Sequence, residues 1–235
     1  MPSELRSPSA FSAVPPVIKN LMIVNGLVFL AQAVFDWLPA GTMQAIGPVM
    51  IWGALWPAGA AEAAAALGQA VPAFYPWQLI TTAFLHGSVL HIAFNMFGLF
   101  SIGPPVEEAL GTRRFLAFYL VSVLGASLLQ LAIVSYPFWT GTIGPVFPTV
   151  GASGGLLGVV AAFGILYPKA TLFIFPIPFP IQARWLVPGA ALVSLYLGVT
   201  GRADGIAHFA HLGGMVAGAI FVLIWRSQRR SRRLA

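Results

Sequence analysis

The sequence predicts an all-α membrane protein, a bundle of six transmembrane helices with both termini cytoplasmic, on three observations. Only 8% of the 235 residues are charged and 58% are apolar, whereas a soluble domain carries about 25% charged residues. The apolar residues fall into runs of roughly 18 to 22, the length that crosses about 30 Å of hydrocarbon. The basic residues collect in alternate loops, as they do when one face of a membrane protein is cytoplasmic.

The first sixteen residues, MPSELRSPSAFSAVPP, are polar and proline-bearing. They lack the cationic start, short apolar core and small-residue cleavage site of a secretory leader, so the first apolar run is read as a retained span. The organisation is then a polar tail over 1–16, one six-helix domain over 17–225 and a basic cytoplasmic tail over 226–235. The predicted spans are Val17 to Leu38, Gly87 to Val106, Phe115 to Pro137, Val150 to Tyr167, Trp185 to Val199 and Ile206 to Trp225. Between the first two lies an apolar stretch, Gly41 to Trp77, which Gly53, Pro57, Gly59, Gly68 and Pro72 break; its Ala-rich centre around Glu62 suits a helix lying in the interface. The segment TLFIFPIPFPI carries Pro176, Pro178 and Pro180, each lacking a backbone donor. It is read as a loop against the membrane.

Charge placement tests this count. Arg6 and Lys19, then Arg113 and Arg114, then Lys169 and Arg184, and finally Arg226, Arg229, Arg230, Arg232 and Arg233 all fall on one face. The opposite face holds the first loop without Lys or Arg, an uncharged loop over Phe138 to Thr149, and a turn in which Arg202 stands beside Asp204. A seventh span through Gly41 to Trp77 would destroy the alternation. The net charge of +6 is therefore read as a membrane anchor facing the lipid bilayer, not as a nucleic-acid surface. With no cysteine, disulfides, thiolate nucleophiles and cysteine metal sites are excluded.

A charged group at the centre of a span costs on the order of 2.5 to 3.5 kcal/mol, so polar residues there need a reason. His86, His91 and Asn95 stand near the start of the second span, Ser153 near the start of the fourth, and His208 and His211 near the start of the sixth. The even-numbered spans run in one direction, which puts the three clusters at one depth in the outer half of the membrane. His91 and Asn95, four apart, share a helix face. Around Ser153, Gly151 and Gly155, and again Gly154 and Gly158, stand four apart; after His211, Gly214 and Gly218 repeat the spacing. Such small-residue pairs let helix backbones approach, and two glycine-faced helices could pack with Ser153 against His211.

A serine needs a base within hydrogen-bond reach to attack a carbonyl, and a Ser-His dyad would suffice. No carboxylate is available inside the spans to complete a triad: Asp36, Glu107, Glu108 and Asp204 lie at span ends or in turns. His91, Asn95 and the Ser153 backbone N–H are suited to receive the developing oxyanion. The bland readings stand beside this one. A lone serine in a glycine-rich span is ordinarily a packing residue, and an asparagine there interhelical glue. A histidine near the surface is ordinarily an interfacial hydrogen-bonder. A transporter using His86, His91, His208 and His211 as a proton relay or metal ligands is the rival from another class, but the polar residues stop halfway across. Spacing alone leaves both His208 and His211 open as the base.

The chain resembles the rhomboid family of intramembrane serine proteases over approximately Val17 to Trp225. The resemblance rests on HGSVLHIAFN at His86 to Asn95, VEEALG at Val106 to Gly111, GASG at Gly151 to Gly154 and AHFAHLGGMVAG at Ala207 to Gly218, in the family's order and spacing. It implies a dyad of Ser153 and His211 and an oxyanion site of His91, Asn95 and the Ser153 backbone. It further implies cleavage of transmembrane protein substrates with no cofactor and no metal. The compact chain, read as having no targeting extension, predicts a bacterial inner membrane, with an organelle as the alternative location. His208, His86, Gly151, Gly154, Gly214 and Gly218 then support or pack the site, and Glu107 takes a structural place at the inner loop. A non-cleaving, helix-binding relative is the alternative within the family, though such relatives usually lack the serine or the histidine. Two positions depart from the family pattern. Leu157 stands where many relatives carry an aromatic residue, and the first loop lacks the arginine of a Trp-Arg pair. The sequence names neither the substrate nor the oligomeric state.

Overall fold

The computed structural model describes residues 14–42, 46–173, 179–200 and 207–234, with the backbone alone for 232–234. Arg6, Pro176, Pro178, Arg202 and Asp204 lie outside the described residues.

Helix α1 (Pro16–Gln32) opens with a proline whose missing N–H costs the first turn nothing. Its next two donors, the N–H groups of Val17 and Ile18, reach the buried Glu107 carboxylate at 3.0 and 2.9 Å. Glu107, on α6 (Val89–Leu110), thus caps a helix from another part of the chain. A π-helical turn, Ala33–Trp37, joins α1 to α2 (Leu38–Ala40) and carries Asp36. That carboxylate receives the N–H groups of Val49 and Met50 at 2.9 and 3.1 Å, at the start of α3 (Pro48–Gly53). The Ala-rich centre of the first loop is the short helix α4 (Ala60–Ala65). Then α5 (Gln78–Thr81) and a 3-10 turn, Thr82–Phe84, lead into α6.

Helix α6 ends at Gly111, whose φ of +80° turns the chain directly into α7 (Thr112–Trp139). After α8 (Ser153–Leu166), residues 171–173 and 179–181, the described ends of the proline-bearing segment, are not helical. Its base is a minimal antiparallel ladder that composition did not foretell, β1 (Thr171–Leu172) against β2 (Ile181–Gln182), with Thr171 opposite Gln182. Helices α9 (Ala183–Thr200) and α10 (His208–Leu234) complete the order, and α10 continues as helix through the basic residues predicted as a tail.

Five of these segments are long and apolar enough to cross a membrane: Pro16–Ala40, Val89–Leu110, Thr112–Trp139, Ala183–Thr200 and His208–Ser231. The protein is therefore a multi-pass integral membrane protein. Its outer faces are apolar, with Leu27, Phe94, Phe97 and Leu192 more than 60% exposed, as a hydrocarbon solvent requires. The predicted fourth span needs correction. Its helix, α8, has 14 residues, about 21 Å at 1.5 Å per residue, because the apolar run from Val150 begins with a non-helical stretch around Gly151 at φ +130°.

Helix α8 lies inside the bundle, against α7 and α10. Glycines set how close these three come. A Cβ on Gly214 would overlap the Gly154 carbonyl, and one on Gly218 would stand 2.8 Å from the Gly158 Cα. The Gly154/Gly158 pair therefore meets the Gly214/Gly218 pair. Of the other spacing predicted, Gly155 instead faces the Tyr119 ring of α7 and Gly151 precedes the helix. Gly213 turns toward α7, where a Cβ would collide with the Gly125 carbonyl. Adjacent residues project about 100° apart on a helix of 3.6 residues per turn, so Gly213 and Gly214 serve two different neighbours.

Replacing Glu107 by Ala is expected to lower stability by about 1.5–3 kcal/mol, the range for a hydrogen bond to a charged acceptor. Thermal unfolding in detergent measures it; an unchanged midpoint would remove Glu107 from the account of how α1 is held.

Candidate active site

The loop before α8 is held by Leu55 and by Thr82. Leu55 and Thr149 exchange backbone hydrogen bonds of 3.0 and 2.9 Å, the Thr82 hydroxyl donates to the Thr149 carbonyl, and the Gly151 N–H donates to the Thr82 carbonyl at 2.9 Å. Gly151 is glycine for two reasons. Its φ is positive, and a Cβ there would stand 2.7 Å from the His91 imidazole. It therefore serves the approach of a side chain, not helix packing, and this corrects the role its spacing suggested.

Ser153 is the first residue of α8, so its N–H has no intrahelical acceptor. Its Oγ lies 2.8 Å from Nε2 of His211. The two residues are 58 apart in sequence, and the glycine seam between α8 and α10 brings their helices together. Gln130 of α7 links the same two elements: its Nε2 donates to the Thr149 hydroxyl at 3.3 Å and its Oε1 accepts the Ala210 N–H at 3.2 Å.

His91 and Asn95 come from α6. Ser88 caps that helix by accepting the His91 N–H at 3.1 Å, and the imidazole lies against Gly151. Asn95 is 4% exposed, and its Nδ2 has no acceptor among the described residues. Gly98, three residues on and on the same face, packs against Leu156 of α8, so this face of α6 is the one turned to α8.

His86 and His208 stand behind the inner pair. The His86 ring meets His91 edge-on at 5.0 Å, and His208 meets His211 edge-on at 6.0 Å. Neither His86 ring nitrogen, nor Nε2 of His208, has a hydrogen-bond partner among the described residues. Leu157 joins the apolar core from a partly buried position. A cavity of about 20 Å³ opens beside Ser153, between Thr82, Ser127, Thr149, Gly151 and Ala210, room for about one water molecule.

Four supporting residues escape a reading by sequence. Gln32 clamps the His86 backbone, its Oε1 accepting the N–H at 2.9 Å and its Nε2 donating to the carbonyl at 3.2 Å. Gln78 stitches the first loop by accepting the N–H groups of Trp56 and Tyr75 and donating to the Ile51 and Ala73 carbonyls. The rings of Trp52, Tyr75 and Trp77 stack in the same loop, with Tyr75 and Trp77 4.6 Å apart. The arginine-free loop is thus held by an amide and an aromatic stack. Gln130 and Asp36 are the other two. The one available signal was that buried glutamines and an aspartate in apolar surroundings need partners, which says nothing about which partners they find.

Comparison with known proteins shows which family the chain resembles. The family model described as Rhomboid domain matches residues 73–228. Rhomboid protein 1, mitochondrial, of Saccharomyces cerevisiae is 33% identical over 150 residues, covering 61% of this chain and 40% of that protein. Rhomboid protease AarA of Providencia stuartii is 31% identical over 158 residues, covering 63% and 56%. Presenilin-associated rhomboid-like protein A, mitochondrial, of Danio rerio is 33% identical over 159 residues, covering 64% and 39%. The aligned segments thus span between about two fifths and just over half of these relatives' own lengths.

Proposed function

Because the chain belongs to the rhomboid family, we propose that it is an intramembrane serine endopeptidase that hydrolyses peptide bonds in or near the transmembrane segments of other proteins. The observation that carries this reading is the 2.8 Å contact between Ser153 Oγ and His211 Nε2. It is the hydrogen bond a serine nucleophile needs to lose its proton.

In this reading α8 is the short fourth of six crossings, with both termini cytoplasmic. At about 21 Å it falls roughly 9 Å short of the hydrocarbon thickness, so Ser153 at its first residue sits below the outer membrane surface with water above it. A substrate helix enters laterally beside α9 and unwinds locally, since an intact helix keeps its carbonyls bonded. Ser153 Oγ attacks the exposed carbonyl carbon while His211 takes the hydroxyl proton. The oxyanion is received by His91, Asn95 Nδ2 and the free Ser153 N–H. As the intermediate collapses, the C–N bond breaks and His211 returns the proton to the leaving amine. A water from the cavity beside Ser153 then gives its proton to His211 and attacks the acyl carbon, releasing the acid and restoring the serine.

The test is cleavage of a transmembrane reporter by the purified chain in detergent, with chelator present. Helices weakened by glycine are expected to be cut at least about ten times faster than polyleucine helices, the order of effect given by about 1.4 kcal/mol of unwinding cost. Equal rates would defeat the unwinding step, and activity abolished by chelator would defeat the metal-free dyad. Replacing Asn95 by Ala is expected to lower kcat by roughly 10²- to 10³-fold, the usual cost of one oxyanion donor. Steady-state kinetics checks it, and an effect confined to KM would mark Asn95 as a binding residue instead.

A further inference from the structure

At the end of the bundle that carries the basic residues, a cavity of about 420 Å³ lies where the junction of α6 and α7 meets the extension of α10. Glu108, Gly111, Arg114, Trp225, Gln228 and Arg229 line it. The Arg229 guanidinium stands 5.4 Å from the centre of the Trp225 ring, which keeps that charge at the cavity wall. Neither Arg114 nor Arg229 forms a salt bridge among the described residues. Arg113 and Arg114 also occupy the first turn of α7, which contains no acidic residue. Cations at the positive end of a helix are unfavourable until an anion neutralises them.

We propose that this cavity binds the phosphate headgroup of an anionic phospholipid. Arg114, Arg229 and the Gln228 amide supply donors from two sides, and Glu108 is the one carboxylate that opposes binding. Trp225 is an aromatic side chain of the kind that settles at headgroup level. On the same face of α10, one turn toward the bundle centre from Gln228, Ile224 is 54% exposed and offers an apolar surface to an acyl chain. A site built at the ends of spanning helices with an apolar strip below it favours a lipid over a soluble phosphate. Topology-setting arginines need only be present in the loop; they need not border a shared cavity.

The experiment is native mass spectrometry of the full chain released from nanodiscs of phosphatidylcholine with a minor fraction of phosphatidylglycerol, counting retained lipids of each kind. Wild type is expected to retain phosphatidylglycerol at least about fivefold above its share, the effect of a single arginine at an anionic surface. The double substitution Arg114→Gln with Arg229→Gln is expected to bring retention to the bulk ratio. The charge-matched pair Arg113→Gln with Arg230→Gln removes two arginines that do not line the cavity and should leave most of the preference in place. Equal losses in the two double variants would reduce the effect to diffuse charge and overturn the proposal. So would no preference in wild type, or displacement of the lipid by millimolar inorganic phosphate. If the first double variant does not fold, Glu108→Gln decides: retention should rise, and an unchanged value overturns the site.

Discussion

Ser153→Ala and His211→Ala are each expected to reduce reporter cleavage by roughly 10⁴-fold or more, and the double variant to be no slower than either single. The reason is that the pair acts as a unit. Without the hydroxyl there is nothing to acylate, and without the imidazole the hydroxyl keeps its proton. The 2.8 Å contact specifies the partner. His208→Ala should cost far less than His211→Ala, because the His208 ring touches His211 and not the serine. Initial rates on a glycine-bearing reporter decide this, with thermal unfolding confirming that each variant is folded. Losses that multiplied in the double variant would mean the two side chains act independently. Full activity in Ser153→Ala would mean that another group is the nucleophile, whereas a wild type inactive on every glycine-bearing reporter would move the reading to helix binding without cleavage.

Gly214→Val is expected to be the most damaging substitution outside the polar site, destabilising by about 3 kcal/mol or more, at the upper end of overpacking costs. Any Cβ there overlaps the Gly154 carbonyl, and that atom belongs to a helix backbone that cannot rotate aside. The two helices must separate, and His211, less than one turn from Gly214 on α10, moves away from Ser153. Cleavage should fall together with the unfolding midpoint. Gly189→Ala on α9 is the control: a Cβ there meets nothing within 4 Å, so stability should stay within about 0.5 kcal/mol. A Gly214→Val protein with wild-type midpoint and rate would refute the glycine seam between α8 and α10.

Much of this architecture was legible in the residues. Charge scarcity and run length mark a membrane protein because hydrocarbon penalises each polar side chain separately, and that penalty is read position by position. The same logic singled out Ser153, His91, Asn95, His208 and His211 as polar residues at one depth. That Pro176, Pro178 and Pro180 bar a regular helix is readable from sequence, because a missing backbone donor is a local fact.

What sequence could not determine depends on how helices rotate against one another. Of the glycine pairs around Ser153, only Gly154 and Gly158 mate with Gly214 and Gly218, while Gly155 faces Tyr119. The spacing is identical for both sets, and only the azimuth of α8 separates them. Gly151 looked like part of the packing stripe and proved to be the positive-φ residue beneath His91, because the apolar run extends three residues beyond the helix it contains. That same overrun made a 14-residue helix read as a full span. The clamps by Gln32, Gln78, Gln130 and Asp36 join residues between 3 and 80 positions apart. Their partners are mostly backbone N–H and C=O groups, which every residue carries alike. Local composition therefore determined the membrane class and the polar candidates, whereas the tertiary packing alone decided which backbone, glycine and imidazole each of them meets.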